Sequence, residues 1–311
     1  MTKRQSINVI VKKKDEREQR KMEENKAMHR LLEVKHLNKA FKNSEFALQD
    51  VSFEVDPGEV VAFIGKNGSG KSTTLSTAIG NVPKDAGEVR FFGQTIEEDD
   101  YEYKNDVGVV FDTVKLPKKL KVVDIEKIMQ QMYRNWESEI FWKYIEEFEL
   151  PRKQKVESYS RGMSMKLSLA IALSHHSRLL LLDEATAGID VSGREQVLEI
   201  LEDCKEQGVG MVISSHIVED LEYIADRLIF MRQGQIVLTV SKSELMEHYH
   251  IVKGDQDAYA QVPREQVIAQ RERKGIVEAL VKGTVETEGI TCESLHSIDD
   301  ATKILMRGER V

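Results

Sequence analysis

Long apolar runs are missing from this chain. Across its 311 residues none approaches the roughly 18–20 consecutive apolar positions that a membrane-spanning helix requires. The first apolar stretch, Ile7-Asn8-Val9-Ile10-Val11, sits among charges and is too short for the core of a secretory signal. The protein is therefore expected in the cytosol, reaching the cytoplasmic face of a membrane only through a partner. Cysteine is nearly absent: Cys204 and Cys292 make no metal-ligand spacing, and cytosolic thiols stay reduced. Positive charge is not in excess either. Lys and Arg number 45 against 53 Asp and Glu, a net charge of −8, which argues against broad nucleic-acid binding. What remains, 41% hydrophobic and 32% charged, is an ordinary soluble composition long enough for one large domain plus a small one.

Against this plain background one stretch stands out, Gly65-Lys66-Asn67-Gly68-Ser69-Gly70-Lys71-Ser72-Thr73. It satisfies Gly-x4-Gly-Lys-[Ser/Thr], the phosphate-loop pattern. The apolar, β-prone Glu59-Val60-Val61-Ala62-Phe63-Ile64 before it reads as a buried strand. Thr73-Thr74-Leu75-Ser76-Thr77-Ala78-Ile79 reads as the first turns of a helix. Strand, glycine loop and helix N-terminus together aim backbone N–H groups and a positive dipole end at phosphate. Lys71 is expected to reach the β- and γ-phosphates and the Ser72 hydroxyl to ligate Mg²⁺. Further on, Leu179-Leu180-Leu181-Leu182 forms a buried strand that delivers Asp183 and Glu184 at its end. Asp183 is expected at Mg²⁺ through its water shell, and Glu184 at the attacking water. His216, after the strand ending Ser214-Ser215, reads as a polar contact to γ-phosphate and water; a histidine there is also a common structural cap.

The rest of the chain divides by pattern. Residues 1–29 are dominated by charges and read as a disordered or solvated helical extension, or as a basic arm lying on anionic lipid. Residues 30–247 hold the nucleotide machinery, with strands at Leu31–Leu37, Ala47–Val55, Glu88–Phe92 and Val107–Phe111. From about Val122 to Leu150 the sequence is strongly helical, with an aromatic stripe read as helix-to-helix core, and Pro151 stops it. A helical subdomain is placed at about 115–160. Arg227–Met231 and Gln235–Thr239 flank a turn and suggest a hairpin. Residues 248–311 read as a small α/β accessory domain. In it, strands near Ile251 and Ile276 surround a polar helix after Pro263, and a last helix begins at Ser297 with Asp300 completing a capping box.

Over residues 30–245 the chain resembles the ATP-binding subunits of ABC transporters. Five elements in order carry the resemblance: the phosphate loop, Tyr159-Ser160-Arg161-Gly162-Met163, the Leu179–Glu184 strand, Ala187-Gly188-Ile189-Asp190, and His216. The resemblance implies an α/β fold, a parallel-sheet ATPase core with an antiparallel β-subdomain and an inserted helical subdomain. It implies ATP and Mg²⁺ as cofactors, with Phe41 stacking adenine and Ser160, Gly162 and Asp190 among the nucleotide contacts. In this family the Ser160 segment meets ATP bound to the opposite subunit, so a second copy of the chain, or a homologous ATPase subunit, is implied. Two departures stand out. Arg161 and Met163 replace Gly and Gln, and Asp112 occupies the place of a Gln that links Mg²⁺ to the transmembrane partner. Asp112 reads either as a modified metal and coupling residue or as a solvent-facing strand end.

These departures and the tail resemble a bacterial exporter group that includes ATPases of phenol-soluble-modulin and antimicrobial-peptide exporters. That resemblance implies a separately encoded ABC transmembrane subunit, amphipathic peptide substrates, and an accessory domain that aids dimerisation. The alternative is a soluble ABC ATPase without a membrane partner, acting in translation, repair or iron–sulfur assembly. Translation-type members carry two cores and repair-type members a long coiled coil, neither of which this chain has.

Overall fold

Uninterrupted apolar runs set the centre of the molecule. In the computed structural model, which describes residues 30–42, 44–96, 101–112 and 116–310, they become the strands of a six-stranded sheet. The expectations for residues 1–29 lie outside the described residues. The chain opens with β1 (Leu32–Ala40) and β2 (Ala47–Val55), then β3 (Val60–Ile64), which delivers helix α1 (Lys71–Ala78). β4 (Ala86–Phe91), β5 (Gln94–Thr95) and β6 (Val107–Val110) follow, then α2 (Val122–Met132), α3 (Ser138–Glu147) and α4 (Arg161–Leu173). β7 (Leu179–Asp183), α5 (Val191–Glu206), β8 (Gly210–Ser214), α6 (Val218–Ile224) and the hairpin of β9 (Arg227–Arg232) and β10 (Gln235–Ser241) come next.

The six-stranded sheet has the order β10-β9-β3-β8-β7-β6. All its pairings are parallel except that of β10 with β9. Every residue of β3, β7 and β8 is buried, as parallel strands covered on both faces require. A second, antiparallel sheet, β2-β1-β4-β5, packs Leu37, Val51, Phe53 and Phe91 against Val61, Phe63 and Leu75. The Phe53 and Phe63 rings meet edge-on at 5.0 Å. Because β3, β8, β7 and β6 run the same way, their carboxyl ends lie along one edge. Ligands of open α/β sheets bind at such edges.

The helical stretch consists of two helices, α2 and α3. Tyr133–Glu137 breaks it, and tertiary partners explain the break. Tyr133 stacks on His175 at 3.9 Å, the Arg134 N–H donates to Asn105 Oδ1 at 3.2 Å, and the Glu137 N–H donates to Ser174 O at 2.8 Å. These bonds to the segments beside β6 and α4 win over local helix propensity. The apolar and aromatic stripe is core as expected at Phe141, Ile145 and Phe148, but its Ile128 and Met132 in α2 are exposed.

After β10 come α7 (Lys242–His248), β11 (Tyr249–Gly254), α8 (Gln256–Tyr259), β12 (Val267–Arg273), β13 (Ile276–Lys282), β14 (Thr291–Ser294), α9 (Ile298–Leu305) and β15 (Glu309–Arg310). The strands form a third sheet, β14-β11-β13-β12-β15. The helix expected after Pro263 is instead a single turn at Arg264–Gln266 followed by strand β12. Val267 and Ala269 are buried and Ile268 and Gln270 less so, a period of two that the polar composition had masked. α9 begins where expected, with the Asp300 carboxylate accepting from the Ser297 N–H at 3.2 Å. Its buried face, Ile298, Ala301, Ile304 and Leu305, belongs to the same apolar cluster as the parallel-sheet residues.

Candidate active site

The phosphate loop leaves β3 at Ile64 and is shaped by glycines that nothing else could replace. A Cβ on Gly65 would lie 2.4 Å from Ser69 Oγ and 2.5 Å from Met231 O. Gly70, at φ 115°, sits in a region closed to L side chains and immediately precedes α1. The hairpin turn supports the loop from behind, the Gly234 N–H donating to Ser69 O at 2.8 Å. No acidic residue stands in the first turn of α1 and no side chain caps it, so its N-terminal N–H groups are suited to an anion. Lys71 is only 6% exposed, and its ammonium donates to Gly65 O at 2.8 Å. Burial pulls its pKa below the usual lysine range, while Glu184 and Asp183 act in the opposite direction.

In front of the loop lies a cavity of about 390 Å³ lined by Asn67–Thr73 together with Asp112, Arg161, Glu184 and His216. Asp183, at the end of β7, is buried and accepts a hydrogen bond from the Ser214 hydroxyl at 2.6 Å. Glu184 takes a left-handed backbone conformation, φ 55°, uncommon for a residue with a side chain. Its N–H donates to Ser214 O at 3.0 Å and to Ser214 Oγ at 3.2 Å, so β8 holds the turn. That turn aims the carboxylate at His216, whose Nδ1 lies 2.5 Å from Glu184 Oε2.

Several expected residues lie elsewhere. Lys66 is exposed and lines a second cavity of about 410 Å³, shared with Arg232 and with Met306–Gly308 beside α9. Ser160 and Gly162 do not line the cavity of their own chain. The Ser160 hydroxyl caps α4 by accepting from the Met163 N–H at 3.1 Å. Gly162 packs on the loop after β7, where a Cβ would come within 2.5 Å of Gly188 O. Asp190 precedes α5 and lines a separate concavity with Glu147 and Lys166. Phe41 is exposed, 6.3 Å from the Phe46 ring with the Lys39 ammonium 5.8 Å from its own ring centroid.

Two residues were missed. Phe46 reaches to 3.3 Å from where a Cβ on Gly70 would lie. Arg161 was read only as a replaced glycine, yet its guanidinium forms an ion pair with Asp112 inside the cavity. The opposite charges of the two departures were the signal that could have joined them.

A parallel sheet with a glycine phosphate loop, a buried lysine and paired carboxylates at its carboxyl edge defines a phosphate-loop nucleotide hydrolase. The comparisons with known proteins narrow this class. Residues 48–187 match the family described as ABC transporter. The chain is 30% identical over 220 residues to the linearmycin resistance ATP-binding protein LnrL of Bacillus subtilis, covering 69% of this chain and 70% of that protein. It is 33% identical over 210 residues to the lantibiotic transport ATP-binding protein SrtF of Streptococcus pyogenes, covering 67% and 90%. A solved ATP-binding subunit of an ABC transporter superposes with a TM-score of 0.64 at 26% identity, covering 69% of this chain and 91% of that one. A dimeric cassette bound to ADP and Pi shares the fold, with a TM-score of 0.61 at 23% identity, covering 68% and 98%. The chain belongs to the ABC transporter ATP-binding proteins, and it is an ATPase.

Proposed function

We propose that this chain is the ATPase subunit of an exporter whose membrane-spanning part is a separate protein. Two copies meet head to tail, each cavity completed by Ser160 and Gly162 of the other copy, while Arg161 between them faces the cavity of its own chain. One observation carries this reading. The phosphate loop, Glu184 and His216 share a cavity, whereas Ser160 and Gly162 open α4 outside it, so a second chain is needed to supply them.

Bound ATP supplies the anhydride bond whose cleavage drives the cycle, and Mg²⁺ neutralises charge on its phosphates. The residues fit both. Lys71 and the N–H groups opening α1 would hold phosphate oxygens, and Phe41, exposed outside that cavity, would stack the adenine. Ser72 and Asp183 would hold Mg²⁺, and Asp112, which lines the same cavity as Ser72, would add a further carboxylate. Among the described residues no three His, Cys, Asp or Glu side chains form a metal cage. Glu184 accepts a hydrogen bond from the attacking water, and its contact with His216 Nδ1 fixes the carboxylate.

The names of two relatives, one for lantibiotic transport and one for linearmycin resistance, support export of antimicrobial compounds. We place this chain with exporters of amphipathic or antimicrobial peptides, such as those for phenol-soluble modulins. No helix among the described residues is long and apolar enough to cross a membrane. We assign attachment to the cytoplasmic face to a transmembrane partner docked near Asp112 and α2, where Ile128 and Met132 are exposed. The C-terminal sheet is assigned to subunit association. Affinity purification from detergent-solubilised membranes, with mass spectrometry, tests the reading. A polytopic membrane protein should co-purify, and amphipathic peptide should stimulate ATPase activity of the complex. An active ATPase recovered without any membrane protein would overturn it.

A further inference from the structure

We infer that Arg161 is a positioning residue of its own chain's nucleotide site, holding Asp112 and screening that carboxylate from phosphate. The inference rests on reading the 390 Å³ cavity as the ATP site and adds to it a contact made within one chain. Three carboxylates, Asp112, Asp183 and Glu184, gather at or behind a cavity that must accept a triphosphate. Of these, Asp112 and Glu184 line it directly. Lys71, which lines it too, is already acted on by Glu184 and Asp183. Among the described residues Arg161 is the other cation lining the cavity, and its guanidinium sits on Asp112 Oδ1.

The placement of Arg161 comes from the fold. It is the first residue of α4, fixed by the Ser160 cap, and its stem lies across the loop after β7. A Cβ on Gly188 would meet Arg161 Cδ at 3.2 Å and Cγ at 3.3 Å. Gly162, the next residue, packs on Gly188 O. Arg161 thus ties together three segments of one chain: the end of β6, the start of α4 and the loop after β7. A neutral amide at position 112 would need no such partner. A carboxylate there, half-exposed at the cavity mouth, repels phosphate unless a cation is held on it. The planar guanidinium does this with directed N–H donors, which a lysine ammonium cannot match.

The test is a double-mutant cycle read by metal-free binding of mant-ATP in EDTA. The full-length chain is used at concentrations where light scattering shows a monomer, so no second subunit contributes. Arg161→Gln should weaken binding by about tenfold or more, because it exposes Asp112 to the phosphates. Asp112→Asn alone should leave affinity unchanged or improved. The Asp112→Asn/Arg161→Gln double variant should return to within about threefold of wild type, a coupling that independent sites do not show. Arg161→Lys should fall between wild type and Arg161→Gln. A charge swap, Asp112→Arg/Arg161→Asp, should bind better than Arg161→Asp alone, which separates charge pairing from misfolding.

Two results overturn the inference while leaving the ATP site intact. One is wild-type mant-ATP affinity in Arg161→Gln. The other is a double variant as weak as Arg161→Gln alone. Failure of the wild-type chain to bind mant-ATP at all would sink both the inference and the site assignment beneath it.

Discussion

Gly162→Ala separates the role of the α4 start from the stability of the fold. The added Cβ would sit 2.5 Å from Gly188 O, 3.2 Å from Gly188 C and 3.3 Å from Ile189 Cα, all backbone atoms. To restore an ordinary contact the start of α4 must back away by about 1 Å. Overpacking of this kind costs about 1–3 kcal/mol. Alanine in place of glycine inside a helix returns about 1 kcal/mol. The net loss of stability is therefore about 0–2 kcal/mol, small enough for the variant to fold. Activity should suffer far more. The same displacement moves Ser160 and Arg161, and a misplacement of about 1 Å at an active site costs on the order of a hundredfold. Calorimetry and steady-state ATPase assays on one preparation give both numbers. An ATPase rate within twofold of wild type would show that the packing of Gly162 on Gly188 does not position the site.

Three further outcomes follow from the same geometry. Ser160→Arg should block the closed dimer and hydrolysis while the monomer still binds ATP, with no greater loss of affinity than Arg161→Gln shows, and mixing it with Lys71→Ala should restore at most one of two sites; full activity of Ser160→Arg alone would refute action across an interface. Gly234→Ala puts a Cβ 1.8 Å from Ala47 O in a turn at φ 79° that bonds Ser69 O, so soluble protein with unaltered mant-ATP affinity would show the hairpin does not brace the loop. His175 is buried, and burial lowers its pKa below the ordinary 6.5. The unfolded chain therefore binds the proton more readily, and stability should decline as pH falls below about 6.5. Asparagine at position 175 should flatten that segment of a Tm-versus-pH curve, and an unchanged slope would exclude His175 as its source.

The parts of this molecule written in local pattern were legible from sequence. The phosphate loop is a contiguous motif whose flanking strand and helix can be checked in place, and β3, β7 and β8 are unbroken apolar runs. The hairpin, the α9 start and the Asp183–Glu184 strand end follow the same logic. What escaped depends on contacts between distant residues. The break at Tyr133–Glu137 is imposed by His175, Asn105 and Ser174, none of which a helical period can reveal. β12 was hidden by polar composition, although Val267 and Ala269 keep a period of two. Arg161 and Asp112 are 49 residues apart in sequence, so each departure was visible but their pairing was not. Phe46 lies outside the motif and comes beside Gly70 only because the start of β2 packs there.

The most direct test of the account is ATP turnover by Glu184→Gln, measured alongside the molar mass of the nucleotide-bound protein. Glutamine keeps the size of the side chain but removes the charge that orients or takes a proton from the attacking water, an effect worth on the order of 10²–10⁴ in rate. The account predicts hydrolysis slowed at least about a hundredfold, undiminished ATP binding, and a stable ATP-bound dimer in light scattering. Near-normal turnover by a chain that stays monomeric with ATP would contradict it.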